Sequence, residues 1–529
     1  MTDWNAPVEL SAEEERILKL CKKQKLWGFL RQHRHVILDN EIRQELAQLY
    51  SDSGRGRPPE CPERLALATL LQAAFDVADH EVPALTVVDR RWQMVLDCLE
   101  VGAPVFSQGS VFNFRERARA SGLMTRLLEK TIQLARSTKG FSHKRLRAIF
   151  DSSPLLGAGR VEDSFNLLGR AMAKLVDVAA REAGVSPDAI AGQLGLSVVG
   201  ASSVKAALDV DWREPTARSQ ALSSLITQFR SLQRWLESTF EGESLRKPPL
   251  REPLETVERI IAQDTEPDPT TPGEGANRRR IKNGADGDRV ISLSDKDMRH
   301  GRKSKSKVFS GYKRHVAVDA DIPGLICAVD IQPANKNERD AAGPLLQSLE
   351  SQQFALAELH IDRGYLTAPE VVAHHERGVP VVTKPPTPRK NDRFTKADFH
   401  IDFTMSQVTC PAGTTAPVTA TGRVTFPAAA CRECDIRAEC LTQKNRRSRQ
   451  LTLHPQEQWY REMATELATP EGRELRRRRV PVEHALARVD MLQGKRARFR
   501  GLHKNRFDLE RTAVLNNCYV LGALLQQAA

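Results

Sequence analysis

Apolar positions along roughly the first quarter of the chain recur at the three- and four-residue intervals of helices. Leu65, Leu67, Leu70, Leu71, Phe75 and Val77 form an apolar run behind Pro62, and Val87, Trp92, Val95 and Leu96 continue the spacing. Ser107 stands just ahead of a further periodic stretch containing Val111 and Phe114, the place of a good helix N-cap. Beyond it, Arg145 to Asp151 predicts a short strand ending in an acid. Phe165, Leu168, Met172 and Leu175 return to helical spacing, which resumes from Leu222 to Phe240. Lys247 to Arg289, rich in Pro, Thr, Gly and acid, reads as a linker or mobile loop.

The pattern then changes period. Tyr312 to Asp319 alternates as a strand, Asp321 to Gly324 supplies a turn, and Leu325 to Ile331 returns as the second arm of a hairpin. A helix from Asn337 to Glu350 leads to a strand from Leu356 to Ile361 that stops at Asp362; a helix from Pro369 to Arg377 and a strand from Val379 to Thr383 follow. Pro385 to about Leu453 is loop-rich, Glu471 to Gly501 is basic and helical, and Phe507 to Leu525 is a helix with an apolar face. No repeat of solenoid period is visible.

Strand, hairpin, helix, strand, helix is the order of a ribonuclease-H-like α/β core whose first strand ends at Asp151. The expected division is a helical N-terminal domain over 1–135, the first core strand over 140–154 and a helical insertion with linker over 155–290. Core over 291–384, a cysteine-bearing insertion over 385–455 and C-terminal core helices over 456–529 complete it.

Charge narrows the partner. The 529 residues hold 79 Lys and Arg against 67 Asp and Glu, a net +12, with 40% hydrophobic and 28% charged residues. That composition excludes wholesale disorder. The cationic excess favours a polyanion, nucleic acid before a membrane surface, because clustered cations on phosphate release counterions. The segment around Ser107, with Arg115, Arg117 and Arg119, reads either as a helix-turn-helix reader or as a bundle with a solvated basic face. No run of about 18 apolar residues marks a membrane span, and Met1 to Ser11 lacks the regions of a secretion signal. A cytoplasmic, nucleoid-associated protein is expected. Cys21, Cys61, Cys98, Cys327 and Cys518 are scattered among apolar neighbours as reduced thiols.

Three separated acids carry the candidate chemistry: Asp151 and Asp362 at strand ends and Glu483 on a helix behind Val482, Leu486 and Val489. Carboxylates converging from two strands and a helix suit a pair of Mg²⁺ or Mn²⁺ ions, which take hard oxygen ligands and promote phosphodiester displacement. Asp319 and Asp330, also at strand ends, are rivals to Asp151. Cys410, Cys431, Cys434 and Cys440 suit a structural tetrahedral zinc, although their spacing is not that of a two-knuckle ribbon; the alternative is a set of reduced thiols packing a small insertion. Arg302, Lys303, Lys305 and Lys307, Arg479 at the end of a four-arginine run, and Arg496, Arg498, Arg500 and Lys504 would hold DNA backbone near the acids, as would Arg115.

The words around these acids resemble bacterial insertion-sequence transposases of the DDE type. Asp151-Ser-Ser-Pro154, Met298 to Lys307 and Gly311 to Ala317 share the resemblance; Asp362-Arg-Gly-Tyr365 matches an Asp-x-Gly-Tyr word and Arg479 to Glu483 an Arg-x-x-x-Glu word. Asp39 to Gly122 is similar to the helical N-terminal domain of InsH-like transposases. The resemblance implies that Asp151, Asp362 and Glu483 are the catalytic acids and bind the metal, with Arg479 steadying a phosphate or Glu483 itself. It further implies an enzyme that binds terminal inverted repeats, cleaves there and joins the 3′ ends to target DNA, acting as a homodimer. An inactive DNA-binding descendant and a metal-dependent nuclease are the alternatives. Two departures stand out: 211 residues separate the first two acids, and Asp490 stands seven residues after the glutamate, where many relatives carry lysine.

Overall fold

The computed structural model describes residues 4–50, 60–137, 145–268, 278–284, 286–304, 306–384, 393–441 and 447–528. Among the described residues, buried apolar side chains gather into three clusters. The largest runs from Trp4 to Leu521 and joins the N-terminal helices to the central sheet. A second is made only of residues between Phe165 and Ile261, and a third only of residues between Phe399 and Leu453.

The central sheet has six strands: β1 (Leu146–Leu156), β2 (Arg299–Arg302), β3 (Val308–Asp319), β4 (Ile326–Pro333), β5 (Leu356–His360) and β6 (Val381–Val382). β1 lies antiparallel to β3, with Asp151 opposite Val316, and parallel to β5, which is parallel to β6. β2 and β4 share the other edge of β3 end to end, both antiparallel to it. Buried Ala148, Ile149 and Phe150 on β1 and Val316, Ala317 and Val318 on β3 show why these segments are strands: both faces are covered and the residues are apolar throughout.

The C-terminal helix, Leu502–Ala528, binds this sheet to the N-terminal helices. Ala513, Val514, Leu515, Cys518 and Leu521 are buried along it. Asn517 closes the edge of β4: its Oδ1 accepts from the Ile326 N–H at 2.8 Å, and its Nδ2 donates to the Ile326 carbonyl at 2.8 Å and to Thr131 Oγ1 at 3.0 Å. Leaving those backbone groups unpaired in the core would cost about 1–3 kcal/mol each.

Three expectations need correcting. β1 does not end at Asp151 but continues to Leu156, because β3 pairs with it as far as Gly311. The expected linker holds a helix, Arg251–Asp264, which buries Val257, Ile260 and Ile261 in the second cluster. The basic stretch after Glu471 breaks into Pro470–Arg477 and Val480–Gln493. The Glu162 N–H donates to the Ile291 carbonyl at 3.0 Å, so the two ends of the stretch between them lie side by side.

Candidate active site

β5 stops pairing with β1 at Ile149 opposite His360, so Asp151 is left without a strand neighbour on that side. Asp362 follows β5 at the N-cap position of a single turn, Arg363–Tyr365. Asp362 therefore stands just past the carboxyl end of β5, and Asp151 lies within β1 just past the point where its parallel pairing stops, at the edge where ligands of open α/β sheets gather. Arg479 occupies the N-cap position of the helix Val480–Gln493, and its guanidinium bridges them, Nη2 to Asp151 Oδ2 at 3.1 Å and Nη1 to Asp362 Oδ1 at 3.5 Å. Arg479 thus pairs with the two aspartates rather than with Glu483.

Glu483 lies in the first turn of the same helix and is exposed. With Asp151 and Arg479 it lines a cleft of about 180 Å³, together with Val382, Thr383, Lys384, Arg476 and Val480. Burial raises the Asp151 carboxyl above its ordinary range, and the charges of Asp362 and Glu338 push the same way; the Ser152 N–H and Arg479 offset this only in part. Asp319 and Asp330 are buried elsewhere on the sheet, Asp330 beside Gln332 and 3.8 Å from Arg506, and neither reaches this cleft.

Hard carboxylate oxygens at one edge are the donor chemistry a divalent cation takes, so the residues present fit one. The place between the aspartates is filled by the Arg479 guanidinium, and among the described residues no three His, Cys, Asp or Glu side chains are grouped tightly enough to hold a metal ion.

Sequence reasoning missed Glu338. It begins the turn Glu338–Ala341 after β4, and its Oε1 accepts from Ser152 Oγ at 2.6 Å. It also missed the buried pair at the base of the site, where Tyr365 OH lies 2.6 Å from His315 Nδ1. The only signal for either was local: an acid just after a strand, and an aromatic ring in the Asp-Arg-Gly-Tyr word.

The basic residues divide. Arg302, Lys303, Lys307, Arg496, Arg500 and Lys504 are exposed, and Lys305 lies outside the described residues. The segment carrying Arg496 runs beside the end of β1, with the Leu156 N–H on the Lys495 carbonyl and the Ala497 N–H on the Leu156 carbonyl at 2.9 and 2.7 Å. Arg115 and Arg498 are corrections. Arg115 is buried in a bidentate pair with Asp79 at 2.6 and 2.7 Å. Arg498 is committed to Asp76 and the Leu492 carbonyl. The Arg115 guanidinium is closed off from solvent, and that of Arg498, partly exposed, is already occupied by these partners.

Cys410, Cys431, Cys434 and Cys440 are all free and half-buried, and they line one pocket with Phe394, Phe426 and Leu441. Burial raises the Cys440 thiol. Of the five scattered cysteines, Cys21 is half-buried, while Cys61, Cys98, Cys327 and Cys518 are buried.

The site is thus a pair of aspartates joined by Arg479 at one edge of a mixed sheet, with exposed cations nearby. In comparison with known families, a transposase DDE domain matches residues 270–518, and a transposase domain (DUF772) matches residues 16–117. Together the two matches support an insertion-sequence DDE transposase. The DDE match takes in Asp362 and Glu483 and begins after Asp151. No significant match was found among curated proteins or solved structures. A DDE domain implies an enzyme of the polynucleotidyl transferase or nuclease type, and such transposases generally bind DNA and use divalent metal ions. Among the described residues no helix is long and apolar enough to cross a membrane.

Proposed function

We propose that the protein binds the terminal inverted repeats of its own element, cleaves there, and joins the freed 3′ ends to target DNA. The observation that supports this most directly is the meeting of Asp151 and Asp362 on Arg479 at the carboxyl edge of the parallel strands, with Glu483 four residues further along the same helix. The strand order, with β1 between antiparallel β3 and parallel β5, supports a ribonuclease-H-like core.

In this reading Asp151, Asp362 and Glu483 hold two Mg²⁺ or Mn²⁺ ions. Bound there, the ions would activate the attacking oxygen and neutralise charge on the leaving one. Arg479 moves from the carboxylates to a phosphate oxygen as substrate arrives, since a guanidinium binds both in the same forked geometry. Arg496, Arg500 and Lys504 hold the DNA backbone beside the end of β1 without reading sequence. In the first step water attacks the phosphodiester at the element end, leaving a 5′ phosphate and a 3′ hydroxyl. That hydroxyl then attacks a target phosphate, forms the new phosphodiester and displaces the target's own 3′ oxygen. Two ends cut together call for a homodimer.

Asp362→Asn keeps the size of the side chain and removes its charge. With Mg²⁺ and a duplex carrying the terminal repeat, wild type should cleave and join, and the variant should bind the duplex yet lose both steps by 10³-fold or more, in the range of losing a major electrostatic contribution. Cleaved ends without joined product would make the protein a nuclease. Binding by both proteins with cleavage by neither would make it an inactive DNA-binding relative.

The four cysteines are proposed as ligands of a structural zinc. Their support is that all four line one pocket, in a module whose apolar cluster has only eight buried residues among the described ones. So small a core generally needs a staple. Purified protein should carry one zinc per chain by elemental analysis, and Cys434→Ser should abolish it; metal-free wild type would end the proposal.

A further inference from the structure

Glu338 stands between the two aspartates in a way the acidic triad leaves unexplained. Its Oε1 accepts from the hydroxyl of Ser152, the neighbour of Asp151, at 2.6 Å. Its other oxygen lies over Gly364, two residues after Asp362. A Cβ built on Gly364 would stand 1.9 Å from Glu338 Oε2 and 2.9 Å from its Cδ. Gly364 is not among the residues with positive φ, so backbone conformation does not call for glycine there. What calls for it is the room that the Glu338 carboxylate occupies. Among the described residues no cation pairs with Glu338, and its hydrogen-bond partner is the Ser152 hydroxyl. The turn that carries it is fixed in its own right: Asn337 and Asp340 close a capping box around Glu338–Ala341.

We infer that Glu338 is a positioning residue, a brace lodged between the residue after Asp151 and the Asp-Arg-Gly-Tyr turn, which sets the separation of the two catalytic aspartates. The inference rests on the proposed roles of Asp151 and Asp362. Arg479 ties the aspartates by their carboxylates, and it leaves them once a phosphate takes its guanidinium. Glu338 holds the backbone behind them and has no reason to leave. Near-attack geometry is sensitive to displacements of about 1 Å, and removing the brace frees both the Ser152 hydroxyl and the hollow beneath Gly364.

The test is a cycle of Glu338→Ala, Gly364→Ala and the double variant, with Glu338→Gln as the conservative control and Asp151→Asn as the reference for a lost site. Each protein is measured for Mn²⁺ affinity, terminal-repeat binding, Mg²⁺-dependent cleavage and urea unfolding. Glu338→Ala should bind the repeat as wild type does, but cleave at least tenfold more slowly and bind Mn²⁺ more weakly. Glu338→Gln keeps an acceptor for Ser152 and should recover most of the loss. Gly364→Ala drives the carboxylate out and should behave like Glu338→Ala. In the double variant the collision is gone, so the losses should not add in cleavage or in unfolding.

Wild-type cleavage and Mn²⁺ affinity in Glu338→Ala overturn the brace, as do fully additive losses. If Asp151→Asn binds Mn²⁺ as wild type does and neither protein cleaves, the catalytic reading itself has failed. The unfolding cycle then still decides whether Glu338 and Gly364 are coupled, and additivity there overturns the brace as well.

Discussion

His315, on β3, is fully buried, and burial, helped by the charge of Lys313, pushes its pKa down to about 3. Its Nδ1 meets the Tyr365 hydroxyl at 2.6 Å, and its Nε2 has no hydrogen-bond partner among the described residues. The neutral ring is therefore the form the folded state holds. An unfolded histidine titrates near 6.5, so below that pH the unfolded chain takes up a proton that the folded one refuses. Stability from this residue is complete above about pH 6.5 and falls as pH drops toward 3, by up to about 1.4 kcal/mol per unit. His315→Gln, which still offers Tyr365 an acceptor, should show a flatter loss between about pH 7 and pH 4.5 in urea unfolding. Parallel pH profiles for the two proteins would contradict this. Arg115 shows the limit of reading single residues. Its charge is plain in the sequence, but its partner Asp79, 36 residues away, is not, and the pairing buries what looked like an exposed basic face.

The elements that carry the site were legible where a local word marked them. Asp362-Arg-Gly-Tyr365 marks the end of a strand, and the structure has a turn there, whereas Arg479 to Glu483, expected inside one long basic helix, spans the start of a new one. β1 was harder, since its length is set by β3 and not by its own residues. The helix Arg251–Asp264 was concealed by proline- and acid-rich surroundings, although Leu254, Val257, Ile260 and Ile261 carry its period. Asp490, in place of a lysine, finds its reason in packing. Fully buried Arg314 on β3 pairs with Asp490 and donates to Ser153 Oγ at 3.1 Å, the Pro154 carbonyl at 3.0 Å, Gln493 Oε1 at 3.2 Å and the Gly494 carbonyl at 3.1 Å. One guanidinium thus clamps the last turn of the Glu483 helix to the strand of Asp151. Arg314→Met strips these partners of their donor and should cost about 3 kcal/mol in urea unfolding, toward the lower end for breaking a buried ion pair because Asp490 keeps some access to water. A change below about 0.5 kcal/mol, the scatter of surface substitutions, would mean the clamp is idle.

Across the whole molecule, the N-terminal helices and the sheet share one apolar cluster, joined by the C-terminal helix. The sequence shows separate periodic stretches and cannot show this, because the joining contacts are between residues hundreds of positions apart, such as Asn517 with Thr131 and Ile326. The exposed cations belong to this scale too. Each of Arg496, Arg500 and Lys504 replaced by alanine should weaken DNA binding on any sequence and lower the salt slope by about 1. Arg115→Ala should leave that slope unchanged and lower stability instead. Titrations at several salt concentrations separate the two behaviours.

Asn517 has one more effect. Exposed outer strands are templates on which a second chain can add itself edge to edge, and β4 has its Ile326 backbone groups already bound by a side chain of the same molecule. A second chain is therefore turned away from extending the sheet at this position.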